Sequence, residues 1–243
     1  MSVAGKVIAI TGASSGIGRA TAVLLAQRGA ALMLGARRES ELQRFVQQIS
    51  EAGGQAEYRA MDVTLRAEVK AFVTAATTRF GRLDVIINNA GIGPISRFDD
   101  CRVDDWDAMI DVNLRGTLHG IGAALPIFQQ QQSGHIVNVV STAGLQIAPT
   151  MGVYGATKNA VRTVSEALRQ ESPNVRVTEV SPGFVATGFS KTIGDADIRN
   201  TIEKRQQELG IPPETVAGAI AYAIDQPCAV DIGSIVTRPT AQN

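Results

Sequence analysis

The chain has 243 residues and carries 23 Lys and Arg against 23 Asp and Glu, so its formal net charge is zero. This balance argues against a nucleic-acid binder or a polybasic membrane anchor, since both depend on an excess of positive charge. With 44% hydrophobic residues, a chain of this length buries roughly 70–75% of its unfolded surface, which favours a single domain over residues 1–243.

Short β-branched runs alternate along the chain with longer amphipathic stretches, the pattern of βαβ units and a parallel sheet. The predicted strands span residues 6–11, 31–35, 56–61, 85–88, 136–140 and 176–181, with a last one within 232–236. The predicted helices span residues 16–28, 39–51, 66–80, 103–128, 152–172 and 213–224, with another inside the segment 183–209. We therefore expect a doubly wound, three-layer α/β/α fold with about seven strands, whose ligands bind beyond the carboxyl ends of the strands.

A glycine-rich turn, Thr11-Gly12-Ala13-Ser14-Ser15-Gly16-Ile17-Gly18, follows the first predicted strand. Glycines at such a turn let the backbone N–H groups of a helix N-terminus approach a pyrophosphate closely. The spacing G-x-x-x-G-x-G differs from the dinucleotide fingerprint G-x-G-x-x-G. On its own, the turn therefore indicates a nucleotide site without identifying the nucleotide.

Residues 12–16 also match G-x-S-x-G, the nucleophile elbow of hydrolases, in the strand, turn and helix context that this motif needs. An elbow serine requires an oxyanion hole built partly by a loop after an earlier strand, but only one strand precedes Ser14. It also requires a histidine base, and the candidates are His119, inside a predicted helix, and His135, at the start of a strand. We therefore favour the nucleotide interpretation.

Two arginines follow the second predicted strand, in Ala36-Arg37-Arg38. NAD-binding units place an acidic residue here, which accepts a hydrogen bond from the ribose 2′-hydroxyl. A guanidinium group is instead suited to bidentate binding of a 2′-phosphate. The sequence therefore predicts NADP(H) rather than NAD(H) as the cofactor. The alternative is that one arginine faces solvent and starts the next helix.

Tyr154 and Lys158 stand at i and i+4 at the start of a predicted helix, which places the phenol and the ammonium on one face. A phenol has a pKa of about 10, and an ammonium about 4 Å away at an effective dielectric near 20 lowers it by roughly 3 units. The pair therefore predicts a general acid/base that works near neutral pH. The alternative is a packed tyrosine beside a solvated lysine.

Two other polar residues occupy positions that suggest a function. Ser141 ends the fifth predicted strand, where its hydroxyl can bind a carbonyl oxygen as negative charge develops there, or can simply cap a turn. Asn113 lies inside a predicted helix, where asparagine is unfavourable, so its amide is expected to make a polar contact or to be a satisfied core group. Two histidines and two distant cysteines form no metal-binding pattern, so we expect no metal.

In the order and spacing of its motifs, the segment 5–187 resembles the short-chain dehydrogenase/reductase family. The motifs that carry this resemblance are Thr11 to Gly18, Asp62-Val63, Asn88-Asn89-Ala90-Gly91, Asn113, Ser141, Tyr154 with Lys158, and Pro182-Gly183-Phe184-Val185-Ala186-Thr187. The resemblance implies a Rossmann fold and the transfer of a hydride between a nicotinamide and a carbon that bears oxygen.

The family resemblance also implies roles for individual residues. Tyr154 would be the acid/base and Ser141 would position the carbonyl. Lys158 would bind the nicotinamide ribose and lower the tyrosine pKa, and Asn113 would hold a water that relays protons. Asp62 and Val63 would lie at the adenine, and Val185 with Thr187 at the nicotinamide carboxamide. The other expected cofactor-binding residues are Gly12, Ser14, Ser15, Gly16, Ile17, Gly18, Arg37, Arg38, Asn89, Ala90, Gly91, Tyr154, Lys158, Pro182 and Gly183.

The segments expected to surround the substrate are 92–98, 145–153 and 184–193, and they are mainly apolar, with Ile92, Ile95, Leu145, Ile147, Met151, Phe184 and Phe189. A substrate loop is expected at about 184–210. They predict a neutral, partly apolar ketone, aldehyde or secondary alcohol as the substrate. The family resemblance implies a homodimer or homotetramer packed through the helices at 103–128 and 152–172. The tail 238–243 departs from the family pattern, and the sequence predicts no role for it.

Two expectations concern the setting of the protein. The first residues lack the pattern of a secretion signal, and no apolar run approaches the roughly 18 residues of a membrane span, so we expect a cytoplasmic protein without membrane partners. The alternative function is an NAD(P)-binding regulatory or interaction protein on the same fold. Such a protein need not keep Asn113, Ser141, Tyr154 and Lys158 together.

Overall fold

The computed structural model describes residues 3–242, in which seven parallel strands form one sheet. The strands are β1 Val7–Thr11, β2 Ala31–Ala36, β3 Gln55–Ala60, β4 Val85–Asn88, β5 Gly134–Val139, β6 Val175–Pro182 and β7 Ser234–Thr237. Their order across the sheet is β3-β2-β1-β4-β5-β6-β7. The strand order therefore reverses between β1 and β4, which is where doubly wound sheets open a ligand-binding crevice.

Helices cover both faces of this sheet. They are α1 Gly16–Gln27, α2 Glu39–Glu51, α3 Arg66–Phe80, α4 Val103–Met109, α5 Gly116–Gln131, α6 Gly152–Glu171, α7 Ala196–Leu209 and α8 Pro213–Asp225. Residues of α1, α2 and α8 share one hydrophobic core with the sheet, and residues of α3, α5 and α6 share a second core on the opposite face. The predicted three-layer, doubly wound fold is confirmed.

The first strand shows why the sequence forms this sheet. Successive side chains of a strand point to opposite faces. Accordingly, Ile8 and Ile10 enter the core beneath α1 and α8, while Val7 and Ala9 enter the core beneath α3 and α5. Because both faces are covered, the whole strand is buried and reads as a continuous apolar run.

The helix predicted over residues 103–128 is interrupted in the observed structure, and it ends at Gln131 rather than at residue 128. A π-helical segment, Ile110–Arg115, separates α4 from α5 and contains Asn113. Thr117 Oγ1 donates a hydrogen bond to the Asn113 carbonyl at 2.8 Å just beyond this segment. Single π-helical turns inside helices are frequently found at functional sites. Within residues 3–242, none of the helices combines the length and apolarity needed to cross a membrane.

Candidate active site

A cavity of about 580 Å³ opens at the carboxyl ends of the central strands. Its size falls within the roughly 300–1,000 Å³ of small-molecule sites. The glycine turn after β1 and the loops after β4, β5 and β6 all reach it. Among the residues that line it are Ile17, Asn89, Gly91, Ser141, Tyr154, Lys158, Pro182, Gly183, Val185 and Thr187.

The glycine turn is packed tightly against the loop that follows β4. Gly12 has φ +66°, a left-handed conformation that favours glycine. A Cβ atom at Gly18 would lie 2.5 Å from Asn89 Nδ2 and 2.5 Å from the Gly12 carbonyl oxygen. The Asn89 amide in turn donates to the carbonyls of Thr11 and Gly12 at 2.9 and 3.2 Å. These glycines are therefore required for the close approach of two loops.

Thr11 has a structural role that the sequence analysis did not assign. Its buried hydroxyl oxygen accepts hydrogen bonds from the backbone N–H groups of Asn89 and Ala90, both at 3.0 Å. The same hydroxyl donates to the Ile87 carbonyl at 3.4 Å. The sequence feature that could have indicated this role is a hydroxyl residue at the end of an otherwise apolar strand.

The arginines after β2 lie beside the glycine turn. Arg38 Nη2 donates a hydrogen bond to Ser14 Oγ at 3.0 Å, and both Arg37 and Arg38 are exposed. After β3, Asp62 Oδ1 accepts hydrogen bonds from the N–H and hydroxyl of Thr64 at 2.9 and 2.8 Å. The structure therefore brings the glycine turn and an exposed guanidinium group together, as the cofactor prediction requires.

The nucleophile-elbow alternative finds no support in this geometry. Ser14 is hydrogen-bonded to an arginine. The His119 ring binds the Val63 carbonyl at 2.8 Å, and the buried His135 binds Thr178 Oγ1 at 2.8 Å. Both histidines are thus engaged elsewhere in the fold, and Ser14 has no histidine partner among the described residues.

Tyr154 and Lys158 lie on the buried face of α6, with 9% and 4% of their surface exposed. Lys158 Nζ lies 5.9 Å from the centre of the Tyr154 ring and donates a hydrogen bond to the Val139 carbonyl at 3.0 Å. Burial raises the pKa of Tyr154 to about 12, although a hydrogen bond with Ser141 opposes this rise. Burial also lowers the pKa of Lys158 to about 8.

The lowered tyrosine pKa that the spacing predicts is therefore not found in the polypeptide alone. The prediction placed the ammonium about 4 Å from the phenol and took no account of desolvation. In the structure, the loss of solvent around Tyr154 is the largest influence on its pKa, and it disfavours the phenolate. The Lys158 ammonium is directed to a backbone carbonyl of β5.

Ser141 and Asn113 both have defined partners. Ser141 Oγ accepts a hydrogen bond from the Ala143 N–H at 3.1 Å, so it caps the turn after β5 while facing Tyr154. Asn113 Oδ1 accepts from the Ile92 N–H at 2.9 Å, and its Nδ2 donates to the Ile92 carbonyl at 2.9 Å. The Asn113 side chain therefore holds the loop after β4.

The loop after β4 also approaches the lysine. A Cβ atom at Gly91 would lie 3.3 Å from Asn113 Oδ1 and 3.4 Å from Lys158 Nζ. On the other side of the cleft, a Cβ at Gly16 would lie 3.3 Å from Thr187 Cγ2, in the loop after β6. The structure thus brings together motifs that are far apart in the sequence.

The substrate end of the cavity contains both expected and unexpected residues. The apolar residues predicted there and found to line the cavity are Leu145, Ile147, Met151, Phe184 and Phe189. The Phe189 ring lies 5.4 Å from the Tyr154 ring. Ile95 does not line the cavity but is buried in the hydrophobic cluster that contains Tyr154. Sequence reasoning did not single out the polar lining residues, which are Arg205, Gln206 and Glu208 within the expected substrate loop and Arg238 and Gln242 in the tail.

The chain is similar to known oxidoreductases. A model of the short chain dehydrogenase family matches residues 6–197. An uncharacterized oxidoreductase of Listeria monocytogenes is 44% identical over 246 residues, which cover 100% of this chain and 99% of the relative.

Two solved structures resemble the whole fold. A serine dehydrogenase complexed with NADP+ gives a TM-score of 0.91 at 30% identity, covering 98% of this chain and 96% of that chain. A short chain dehydrogenase/reductase from Burkholderia phymatum in complex with NAD gives a TM-score of 0.90 at 31% identity, covering 97% of this chain and 90% of that chain. Both similar structures hold a nicotinamide dinucleotide.

Proposed function

Because the chain belongs to the short-chain dehydrogenase family, we propose that it transfers a hydride between NADP(H) and a neutral, partly apolar ketone, aldehyde or secondary alcohol. The observation that carries this proposal is the arrangement of Tyr154, Lys158 and Ser141 in one cavity, together with the glycine turn. We also propose that residues 1–243 act as one domain whose substrate loop lies at about 184–210.

The residues of the cleft fit a nicotinamide dinucleotide. Backbone N–H groups of the turn, at residues 12–18, and the N-terminus of α1 would bind the pyrophosphate, since the glycines leave the space in which side chains would stand. Asp62 and Val63 would contact the adenine. The residues that would face the rest of the cofactor are Asn89, Ala90, Gly91, Tyr154, Lys158, Pro182, Gly183, Val185 and Thr187. When bound, NADPH supplies the hydride for carbonyl reduction.

The preference for NADP(H) over NAD(H) rests on Arg37 and Arg38. Both guanidinium groups are exposed, and Arg38 is already held beside Ser14 at 3.0 Å. A 2′-phosphate at this place would receive charge-assisted hydrogen bonds, which are about twice as strong as neutral ones. Similar structures hold NADP+ in one case and NAD in another, so the proposed preference depends on the arginines.

Tyr154 would exchange the proton. In reduction, its hydroxyl would donate a proton to the carbonyl oxygen as the hydride reaches the carbon, and in oxidation it would take that proton back. Ser141 would donate a hydrogen bond to the same oxygen as negative charge develops on it. Because burial raises the pKa of Tyr154 to about 12, the polypeptide alone holds the phenol in its proton-donating form.

Lys158 would favour the phenolate that is left after proton transfer. Its pKa of about 8 keeps much of the ammonium charged near neutral pH, even though the side chain is buried. A positive charge lowers the cost of a nearby negative one, and more so in a cavity with little water. Asn113 would hold a water through which the proton is replaced.

A second substrate class is favoured by one observation. Arg205 and Arg238 line the cavity, and guanidinium groups bind carboxylates well. A hydroxy acid or a hydroxy amino acid is therefore the competing substrate, and one similar structure is named a serine dehydrogenase. We favour the neutral substrate because Phe189 packs on the Tyr154 ring, and Met151 and Phe184 belong to the same apolar cluster.

A substrate panel tests the proposal. Neutral ketones, aldehydes and secondary alcohols, and matched carboxylate-bearing ones, would be assayed with NADPH and NADH separately. We expect turnover of neutral carbonyls with NADPH and much weaker turnover with NADH. Clearly better turnover of the anionic set would replace the neutral substrate with the competing class. Cofactor binding without any turnover would instead favour a regulatory or interaction protein on this fold.

We also propose that the chain forms a homodimer or homotetramer through α5 and α6. This part of the proposal rests on the family resemblance, and α5 and α6 are long helices that lie on the same face of the sheet. Light scattering of the purified protein measures its mass in solution. A mass of one chain at assay concentration would contradict the proposed assembly without affecting the proposed reaction.

A further inference from the structure

The C-terminal tail turns back toward the cavity after β7. The Gln242 N–H donates a hydrogen bond to the Pro239 carbonyl at 3.0 Å, which closes a turn, and Pro239 is buried. Arg238, Ala241 and Gln242 line the cavity as a result. The tail thus forms part of the wall of the candidate active site, although neither the family resemblance nor the proposed function assigns it a role.

The Gln242 side chain connects two loops of this site. Its Oε1 accepts a hydrogen bond from the Phe184 N–H at 2.8 Å, in the loop after β6. Its Nε2 donates to Thr142 Oγ1 at 3.2 Å, in the loop after β5. Thr142 directly follows Ser141, and Phe184 leads into the segment proposed to face the nicotinamide. A single amide therefore bridges the loop of the carbonyl-binding serine and the loop of the cofactor.

The backbone around Gln242 leaves room for this amide. A Cβ atom at Gly183 would overlap Gln242 Oε1 and would lie 2.8 Å from Arg238 Cβ. Any other residue at position 183 would therefore displace the tail. Gly183 and Gln242 are 59 positions apart, so the fit arises only in the folded chain.

We propose that Gln242 is a positioning residue for hydride transfer. By tying the two loops together, its amide fixes the Ser141 loop relative to the segment that faces the nicotinamide, and so fixes where the carbonyl lies relative to the hydride donor. Small displacements of reacting groups are costly, since about 1 Å of misplacement lowers rates by as much as 100-fold. This inference rests on the proposed function, because it assigns a part in that reaction.

The chemistry of the bridge determines the choice of variants. Glutamine supplies one acceptor and one donor, and both are used. Gln242→Met keeps a long, unbranched side chain but removes both hydrogen bonds. Thr142→Val keeps the shape of Thr142 and removes its acceptor, while Thr142→Ser keeps the hydroxyl. Gln226→Met is the matched control, because the Gln226 amide also donates a hydrogen bond, to the Tyr222 carbonyl at 2.9 Å, but does so at the end of α8.

The experiment measures a single turnover of NADPH with a neutral carbonyl that the wild-type protein reduces. The rate constant reports positioning, whereas the amplitude reports how much protein is folded and active. We expect Gln242→Met and Thr142→Val each to lower the rate constant about tenfold, and the double variant to be no slower than Gln242→Met alone. Thr142→Ser and Gln226→Met should keep the wild-type rate constant.

Two other outcomes would overturn the inference in different ways. If Gln242→Met lowers only the amplitude and leaves the rate constant within about twofold of wild type, Gln242 is structural and the proposed reaction stands. If the wild-type protein reduces no carbonyl of the panel, the proposed function fails and the positioning role fails with it. Hydrogen exchange of the Phe184 N–H checks the bridge itself, since Gln242→Met should speed that exchange while Gln226→Met should not.

Discussion

The two ends of the cleft are built from the sequence in different ways. At the cofactor end, the glycine turn and the arginines lie in two short continuous segments, which meet through the Arg38 to Ser14 hydrogen bond. At the substrate end, the walls come from α7, from the loops after β5 and β6, and from the tail that carries Gln242. The first end is a local motif, whereas the second is assembled only by the complete fold.

This difference between the two ends indicates which part of such a fold can change without loss of cofactor binding. A backbone turn that approaches a pyrophosphate needs small residues at fixed spacing, so the requirement is visible in one segment. Substrate recognition needs only side chains that reach the cavity, and distant segments can supply them. We therefore propose that Tyr154 and its neighbours carry out the chemistry, and that the residues at the substrate end of the cleft select the substrate.

The largest effect is expected from Tyr154→Phe. Removing the hydroxyl takes away the proposed proton donor, and loss of general acid/base catalysis costs roughly 100- to 10,000-fold in turnover rate. NADPH binding should be unchanged, because the ring that packs against Phe189 remains. Steady-state kinetics with a neutral carbonyl measures the loss. Tyr222→Phe, at an exposed position on α8, is the control and should keep full activity.

The cofactor end is tested by Arg38→Gln. Loss of one charge-assisted contact to a 2′-phosphate, about 1.5–3 kcal/mol, should raise the KM for NADPH about 10- to 100-fold. The KM for NADH should not change, since NADH has no phosphate there. Arg44→Gln removes a charge from α2, which begins directly after Arg38 and in which Arg44 pairs with Glu41, and it should affect neither cofactor. An equal rise in the KM for NADPH and for NADH would show that Arg38 does not bind the 2′-phosphate.

The pH dependence of stability tests the burial of Lys158. Folded Lys158 loses its proton near pH 8, whereas an unfolded lysine keeps it up to its usual pKa of 10.5. The unfolded chain therefore holds more protons between these values, so raising the pH favours the folded chain. Above pH 10 the raised pKa of Tyr154 acts in the opposite direction, since only the unfolded tyrosine ionises there.

The expected result is a gain of about 2 kcal/mol in the free energy of unfolding between pH 8 and pH 10, relative to Lys158→Met. Urea unfolding at the two pH values, for both proteins and without cofactor, measures this difference. The variant removes the titrating group but keeps a long side chain in the same place. Parallel pH dependence of the two proteins would show that Lys158 is not desolvated in the folded chain.

The smallest effect concerns the glycines of the cofactor end. Gly18→Ala would push a methyl group against Asn89 Nδ2 and the Gly12 carbonyl, both 2.5 Å away. We expect it to lower the free energy of unfolding by about 1–2 kcal/mol and to weaken NADPH binding. In Gly218→Ala, inside α8, the new Cβ meets no described atom within 4 Å, so this variant should raise the unfolding free energy by about 0.5–1 kcal/mol. Urea unfolding compares the two.

Much of the fold could be predicted because its signals are local. The bounds of α2, α3 and β4 were predicted as observed, since each segment has its own periodicity and breakers. The π-helical segment around Asn113 could not be predicted. In this segment, Asn113 is hydrogen-bonded to Ile92 and to Thr157, which are 21 and 44 residues away. A short stretch of sequence of the length used to predict a helix does not contain all three residues.

The candidate site shows the same limit. Tyr154 and Lys158 were found because one helical turn separates them. Their pKa values could not be predicted, since these depend on how much solvent the surrounding loops exclude. Gln242 was missed because its partners lie 58 and 100 residues away. In each case, the missing information was a contact between distant segments rather than the chemistry of a residue.

The most direct test of the account is a comparison of wild type and Tyr154→Phe, each saturated with NADPH and then mixed with a neutral ketone that wild type reduces. The account predicts equal NADPH affinity for the two proteins, rapid loss of NADPH absorbance in the wild type, and almost none in the variant. Loss of NADPH absorbance at the same rate in both proteins would contradict the assignment of proton transfer to Tyr154. Failure of the wild type to bind NADPH would contradict the cofactor site itself.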